Sequence, residues 1–405
     1  MAIKRVERDM NKRLSGTAKH TKTIYLDYAA TTPTHPEVVK AMLPYFSDHF
    51  GNPSSMHAFG QTAKSAIEGS RETIASLLGA TSEELIFTSG GTESNNTALK
   101  GIAYANSDKG NHIITSNIEH HSILEPCAFL EKQGFDVTYV RVDEFGVVAP
   151  EDVKEVITDK TILISLMHAN NEIGTIQSIA EIGAIAKERG IYFHTDAVQT
   201  FGHLPVPMDN VDLLSISAHK LYGPKGVGAL YIREGTKMLP FMHGGDQERG
   251  RRASTHNAPG IVGFGRAVEL ARETMDEEEK RLTALRNKLI TGIVERIDHT
   301  RLNGHALKRL PNNVNVSVAY IEGEAMMVHL DLNGVACSTG SACTSSSLEP
   351  SHVLLAIGLS HELARGSLRF TLGRYTEEED IEYVLDVLPE VVKNLRALSP
   401  LYKKG

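Results

Sequence analysis

Residues 85–96 read Leu-Ile-Phe-Thr-Ser-Gly-Gly-Thr-Glu-Ser-Asn-Asn. A short apolar run, Leu85-Ile86-Phe87, gives way to a glycine turn and then to a helical stretch, so a strand, a turn and a helix follow one another directly. The same alternation extends outward. Ile113–Thr115, Val137–Val140, Thr161–Leu166, Ile191–Phe193, Leu213–Ile216 and Ala229–Ile232 read as strands. Between them, Ala63, Ile67, Ile74, Leu77 and Leu78 keep a helical spacing that Gly79 stops, and Ile179, Ile182, Ile185 and Ala186 mark a second helix closed by Gly190. Strands that alternate with helices require crossovers, and these cover both faces of a largely parallel sheet. Strands covered on both faces read as unbroken apolar runs, as several of these do. The expected fold is α/β, with a mostly parallel sheet of seven strands.

Beyond residue 265 the pattern changes. Glu269 to Glu295 is a long charged helical stretch, expected to bridge two units or simply to present a solvated face. A Pro311-Asn312-Asn313 turn, an alternating strand from Val314 to Val318, a helix from Glu324 to Leu330 and a strand bearing cysteine follow. A final amphipathic helix carries Ile381, Val384, Leu385, Leu388, Val391, Val392 and Leu395, and Pro389 is expected to kink or split it. The reading is two domains. A large one spans 24–276, and a smaller α+β unit spans 277–405 together with the segment 1–23. A chain of 405 residues accommodates both.

Composition narrows the function. Apolar residues at 41% and charged residues at 23% suit an ordinary globular enzyme, and 34 Gly with 15 Pro exclude collagen-like and low-complexity chains. No run approaches the ~18 apolar residues of a membrane span. A net charge of −8 gives no global drive toward nucleic acid or acidic membranes. The charge is uneven, because Lys4, Arg5, Arg8, Lys12, Arg13, Lys19 and Lys22 outnumber Glu7 and Asp9 in the first 22 residues. Without an apolar segment this basic start is not a secretory signal and reads as a solvated arm. Three cysteines, Cys127, Cys337 and Cys343, build no disulfide framework and have no metal-ligand spacing, so reduced thiols and a cytoplasmic setting are expected, with no metal.

Three motifs carry chemistry. Gly90-Gly91-Thr92 after a strand and before a helix suits a phosphate, because glycines admit close backbone approach and a helix start favours an anion. Taken alone, the same glycines suit an ordinary capped helix. Asp196 stands at the end of the apolar run in Tyr192-Phe193-His194-Thr195-Asp196, where open α/β sheets place ligands. Lys220, in Ser217-Ala218-His219-Lys220, follows a strand and precedes a Gly/Pro turn. A lone lysine there is usually a solvated side chain. Together, an amine, an acid for a pyridinium nitrogen and a phosphate cup are what pyridoxal 5'-phosphate needs.

With these strings in place the sequence resembles the NifS/IscS-like cysteine desulfurases, within the class V aminotransferase group of pyridoxal enzymes, over about Tyr25 to Leu395. The further strings that carry the likeness are Tyr25-Leu-Asp-Tyr-Ala-Ala-Thr-Thr32, Phe50-Gly-Asn-Pro-Ser-Ser55, Met167-His-Ala-Asn-Asn-Glu-Ile-Gly174 and Gly340-Ser-Ala-Cys-Thr-Ser345. The resemblance implies the fold type I of pyridoxal-phosphate transferases. It implies that Lys220 is the Schiff-base lysine, Asp196 the partner of the pyridinium nitrogen, Gln199 the donor to the ring 3-hydroxyl, and His120 the histidine stacked on the ring, which also moves protons. Gly91, Thr92, Ser217 and His219 match phosphate contacts, and Asn171 lies near ring and substrate. Asn52 lies near the substrate. Thr255 matches a phosphate contact from a second subunit, which implies a homodimer. Arg369 matches the substrate-carboxylate arginine, whose fork suits a carboxylate.

Cys343 matches the catalytic cysteine, and its Gly-Ser-Ala-Cys setting points to group I. Sulfur transfer needs a thiolate, and a free thiol with a pKa of ~8.5 is only a few per cent ionised near pH 7. The implied activity converts L-cysteine to L-alanine and leaves a persulfide on Cys343 for an iron–sulfur scaffold or a thiolation relay. A selenocysteine lyase or a related transaminase is the alternative, and a transaminase has no need of the thiol. Cys127 and Cys337 sit in apolar contexts and read as core. The C-terminal Leu401–Gly405 is shorter than the tail that relatives use to dock a cluster scaffold, so the resemblance leaves that docking open.

Overall fold

The computed structural model describes residues 23–339 and 349–402. Its strands, in chain order, are β1 (Ile24–Tyr25), β2 (Leu85–Thr88), β3 (His112–Ser116), β4 (Asp136–Val140), β5 (Thr161–Ser165), β6 (Tyr192–Asp196), β7 (Leu213–Ser217), β8 (Gly228–Ile232), β9 (Thr300–Leu302), β10 (Asn313–Val318), β11 (Val335–Ala336) and β12 (Ser367–Thr371). Each strand expected between 85 and 232 is present, shifted by one to three residues at its ends.

Seven of them form one sheet in the order β2-β8-β7-β6-β5-β3-β4. β8 alone runs against its neighbours, and the pairs β7/β6, β6/β5, β5/β3 and β3/β4 are parallel. β5, β7 and β8 are buried along their whole length, as expected for strands that helices cover on both faces. Ala58–Leu77 is one covering helix. His57 caps its start by accepting from Gly60 N–H, and Ala63, Ile67, Ile74 and Ala75 turn its buried face inward. Gly79, with φ of +65°, ends it in the left-handed region that glycine enters without a Cβ clash.

A second core forms around the three-stranded sheet β12-β10-β9. One helix, Ala258–Arg296, runs through both cores. Its Ile261, Phe264, Ala267 and Val268 pack in the first, and Leu282, Leu285, Leu289 and Ile293 in the second. This helix begins eleven residues before the charged stretch at Glu269, because Asn257 caps it and its first three turns are apolar rather than charged. β1 pairs in parallel with β11, and Ile24 and Leu26, expected with the first unit, pack in the second core.

The final helix spans Glu378–Leu398 without a break at Pro389, against expectation. Pro389 has no N–H to give the carbonyl of Leu385, one helical turn earlier. Arg296 supplies the missing donor, with Nη1 at 2.9 Å from that oxygen. Among the described residues no helix is long and apolar enough to cross a membrane.

Candidate active site

A cavity of about 290 Å³ opens where the parallel strands end. The loop after β5 brings Met167, Ala169 and Asn171 to it. β6 delivers Asp196, Val198 and Gln199, and β7 delivers Ser217, His219 and Lys220. The segment after β3 supplies His120 and Ser122, the helix after β2 supplies Gly91, Thr92 and Asn95, and β12 contributes Arg369. The sequence thus places Lys220, Asp196, Gln199, His120, Gly91, Thr92, Ser217, His219, Asn171 and Arg369 together.

Asp196 is 9% exposed and held as a carboxylate acceptor. Its Oδ1 accepts from Val198 N–H at 2.9 Å and its Oδ2 from Asn95 Nδ2 at 2.7 Å. The second hydrogen of Asn95 Nδ2 goes to Ser122 Oγ at 2.8 Å. Having accepted there, Ser122 donates to His120 Nδ1 at 2.8 Å. His120 Nδ1 also accepts from Ser122 N–H at 3.1 Å and so caps the helix that follows. A ring nitrogen that accepts twice leaves the proton on Nε2. Burial, foremost, holds this imidazole below its usual pKa, with Lys220 adding to the effect and Asp196 opposing it. A neutral His120 is therefore wired to Asp196 through Asn95 and Ser122.

Lys220 Nζ donates to the carbonyls of Ala29 and Ala30, the second at 2.9 Å. Its own carbonyl accepts from His203 Nε2 at 2.8 Å. Gln199 Nε2 reaches Ala29 O at 3.2 Å, and His219 Nδ1 meets Thr31 Oγ1 at 3.1 Å. Burial, with Lys220 and Lys225, pushes His219 down to about 4. The segment Asp27–Thr32 thus ties the β6 and β7 ends to β12. Asp27 Oδ1 accepts from Arg369 Nη2 at 2.9 Å, Arg369 Nη1 reaches Asn171 O at 3.2 Å, and Ala29 N–H donates to Thr371 Oγ1 at 2.8 Å. Arg369 Nε is buried without a partner, which leaves an edge of the guanidinium for an anion.

The donor set fits the pyridoxal phosphate that the resemblance implies. Ser217 Oγ is buried with no hydrogen-bond partner. It faces the start of the helix Gly91–Ala105, whose first N–H groups point out of the helix. A Cβ on Gly91 would come within 2.7 Å of Val198 Cγ2, so the backbone must stay bare there. An orphaned hydroxyl, a helix start and a glycine floor are groups that suit a phosphate, and the amine of Lys220 and the acid of Asp196 line the same cavity.

Asn52 and Thr255 are not brought to this cleft. Both are exposed, and Asn52 Oδ1 accepts from Ser54 N–H at 3.0 Å. The loop that carries Thr255 is nevertheless fixed. Buried Glu248 takes Arg71 at 2.6 and 2.9 Å, His256 Nε2 at 2.6 Å and Phe87 N–H at 2.8 Å. Burial alone would raise the Glu248 pKa; Arg71 and His256 outweigh it and hold the group down at about 2. Cys343 lies outside the described residues. Cys127 and Cys337 are free thiols that burial pushes up to about 12, which makes both poor nucleophiles.

Sequence reasoning did not single out Asn95 or Ser122. The signal was available, since Asn95 lies one helical turn beyond Gly91 and Ser122 two residues beyond His120. Glu119 and Glu172 were also passed over. Both are buried acids beside site residues, raised by burial to about 8 and about 7.

Residues 24–384 match the family model described as aminotransferase class-V. The cysteine desulfurase IscS of Dictyoglomus turgidum is 61% identical over 385 residues, covering 95% of this chain and 98% of that protein. Among solved structures, a NifS-like protein is similar with a TM-score of 0.87 at 38% identity, covering 92% of this chain and 100% of the other. A structure of SspA in complex with cysteine has a TM-score of 0.78 at 41% identity, covering 88% and 100%.

Proposed function

The chain belongs to the aminotransferase class-V family and is a pyridoxal-phosphate-dependent cysteine desulfurase, and from that premise we propose which of its residues do the work. The observation that carries the assignment is the convergence of an amine, a carboxylate and a guanidinium, Lys220, Asp196 and Arg369, on one cavity beside a phosphate cradle.

When bound, the cofactor supplies an electron-withdrawing ring that accepts the electron pair left as a substrate carbon loses its proton. Lys220 would hold the cofactor through its amine and, once the substrate amine has displaced it, would take the Cα proton of L-cysteine. Asp196, twice hydrogen-bonded, would keep a proton at the ring nitrogen. Arg369 binds the substrate carboxylate through the edge not taken by Asp27 and Asn171. His120, neutral with its proton on Nε2, lines the cavity where it would face the ring and could pass a proton. Gln199 orients the ring hydroxyl, and Gly91, Thr92, Ser217 and His219 hold the phosphate. The Cys343 thiolate attacks the substrate sulfur. An S–S bond forms as the Cβ–S bond breaks, Cβ takes a proton in place of the sulfur, Cα regains the proton it lost, and L-alanine leaves with the sulfur held on Cys343 as a persulfide.

The two cores are two domains that divide within the long helix near residue 276. The protein acts as a homodimer in which Thr255 completes the cradle of the second copy and Asn52 approaches its substrate. Leu43, Phe46, Phe50, Met56 and Phe59 support this, because they expose large apolar groups along one short stretch of chain. The persulfide passes to an iron–sulfur scaffold or a thiolation relay in the cytoplasm, where a reduced thiol persists.

Cys343→Ser tests the assignment. It is expected to abolish alanine release from cysteine and to keep the visible absorbance of the bound cofactor. Normal turnover by this variant overturns the role of Cys343.

A further inference from the structure

The described residues on either side of Cys343 in the sequence, Ser338 and Ser351, are both anchored to the fold. Five residues before the cysteine, Ser338 pairs with Arg369 in both directions, N–H to O at 3.1 and 2.7 Å. Eight residues after it, Ser351 Oγ donates to Glu172 Oε2 at 2.5 Å, and both side chains are buried. The next residue, His352, donates from Nε2 to the carbonyl of Glu119 at 3.0 Å, and its ring lies 5.1 Å from that of His121. Beneath them a separate apolar cluster joins Ile118 and Ile173 to Val353, Leu354, Ile357 and Leu359. The chain from Ser351 onward therefore sits on two turns, one next to His120 and one next to Asn171.

We propose that Glu172 and Ser351 form the positioning pair for the sulfur-transfer half of the reaction, setting where the chain beyond Cys343 rejoins the fold. This rests on the proposed role of Cys343. Neither side chain lines the cofactor cleft. The turns beneath also have their own supports. Glu172 N–H donates to Asn170 Oδ1, Glu172 O accepts from Asn313 and Asn315, and Glu119 takes Ser116 Oγ at 2.6 Å and Met167 N–H at 3.1 Å. Loss of the Ser351 hydroxyl consequently leaves His120 and Asn171 where they are. The disturbance falls on the short helix His352–Ala356, which Ser351 also caps through Leu354 N–H at 3.3 Å.

The test compares two reactions of the full-length holoenzyme. Exchange of the Cα proton of L-alanine with solvent deuterium requires Lys220 and the cradle but no thiol. Alanine formation from L-cysteine requires the thiol as well. In Ser351→Ala and Glu172→Leu, exchange and visible absorbance are expected to stay within about 2-fold of the parent, whereas alanine formation falls about 10- to 100-fold, the scale of a small misplacement of a reacting group. Glu172→Gln keeps an acceptor for Ser351 and is expected to restore turnover to within about 3-fold. Undiminished cysteine turnover in Ser351→Ala overturns the proposal, as does exchange that falls in step with it. Should Glu172→Leu fail to fold, Ser351→Ala still decides. Cys343→Ser runs alongside: turnover that survives it overturns the role of Cys343 itself, a failure distinct from that of the pair.

Discussion

The cofactor cradle and the seat of the cysteine-bearing chain are built in opposite ways. The cradle takes its groups from short runs, Gly91–Asn95, Asp196–Gln199 and Ser217–Lys220, each at the end of one buried strand. The sheet supplies the relative placement, so each run needs only its own few residues in order. The seat is made of pairs far apart in the chain. Arg369 meets Asp27 across 342 positions, His352 meets Glu119 across 233, and Ser351 meets Glu172 across 179. A site assembled on strand ends tolerates change in its surroundings, whereas a seat made of single long-range bonds depends on each of them.

The sharpest break of that contrast is Lys220→Ala. The two carbonyls that hold its amine belong to Ala29 and Ala30, so removing the amine leaves the sheet and the cradle standing. The expected result is loss of the visible absorbance and a fall in alanine formation of about 10²–10⁴-fold, the range for a lost proton-transfer group, with little change in thermal unfolding. Marked unfolding in this variant would mean that the cradle is not the self-supporting region described.

Asn95→Ala probes the cradle one layer back. It removes the N–H donor of Asp196 Oδ2 and opens the link through Ser122 to His120. An unsatisfied buried acceptor costs about 1–3 kcal/mol, so turnover is expected to drop roughly 5- to 150-fold with weaker retention of cofactor. Unchanged kinetics and cofactor affinity would detach Asn95 from the site.

The same contrast explains what could be read in advance. Most strands of the main sheet were legible because doubly covered strands are continuous apolar runs, whereas the edge strand β4, mostly half-buried, read through its β-branched and aromatic residues Val137, Thr138, Tyr139 and Val140. Lys220 and Asp196 were legible because each closes such a run. Glu119 and Glu172 were not, because a glutamate next to a histidine or an asparagine carries no mark that it is buried. Their partners, Met167, Ser116 and Ser351, follow from the fold alone. Asn52 and Thr255 were legible only as members of a family pattern, and one chain does not bring them to its own cleft.

Glu119 gives a pH prediction with a fixed sign. Burial raises it from an ordinary 4.5 to about 8 in the folded protein. A raised acid contributes stability fully below its unfolded pKa and loses that contribution as pH climbs through the folded value. Glu119→Gln cannot ionise. Its unfolding temperature relative to the parent is therefore expected to rise from pH 5 to about pH 8 and to level off above it. A difference that is flat with pH would show that Glu119 does not sit neutral beside Met167.

The smallest effect concerns Pro389, where a local signal and a distant contact oppose each other directly. The proline ring removes one helical hydrogen bond and on its own should have ended the helix. The helix runs on because Arg296, 89 positions away, gives Nη1 to the orphaned carbonyl of Leu385 at 2.9 Å and reaches Asp386 at 3.1 Å. Arg296→Met keeps the apolar stem and loses both donors. The exposed ion pair to Asp386 contributes little, so the cost is mainly that of the carbonyl bond, about 0.5–1.5 kcal/mol. In a Pro389→Ala background the helix regains its own N–H for Leu385, and the same change is expected to cost about zero. A double-mutant cycle in urea reads the difference. Equal costs in both backgrounds would mean that Arg296 does not stand in for the missing helical donor, and the continuity of this helix would then rest on its apolar face, Ile381, Val384, Leu388 and Val392, alone.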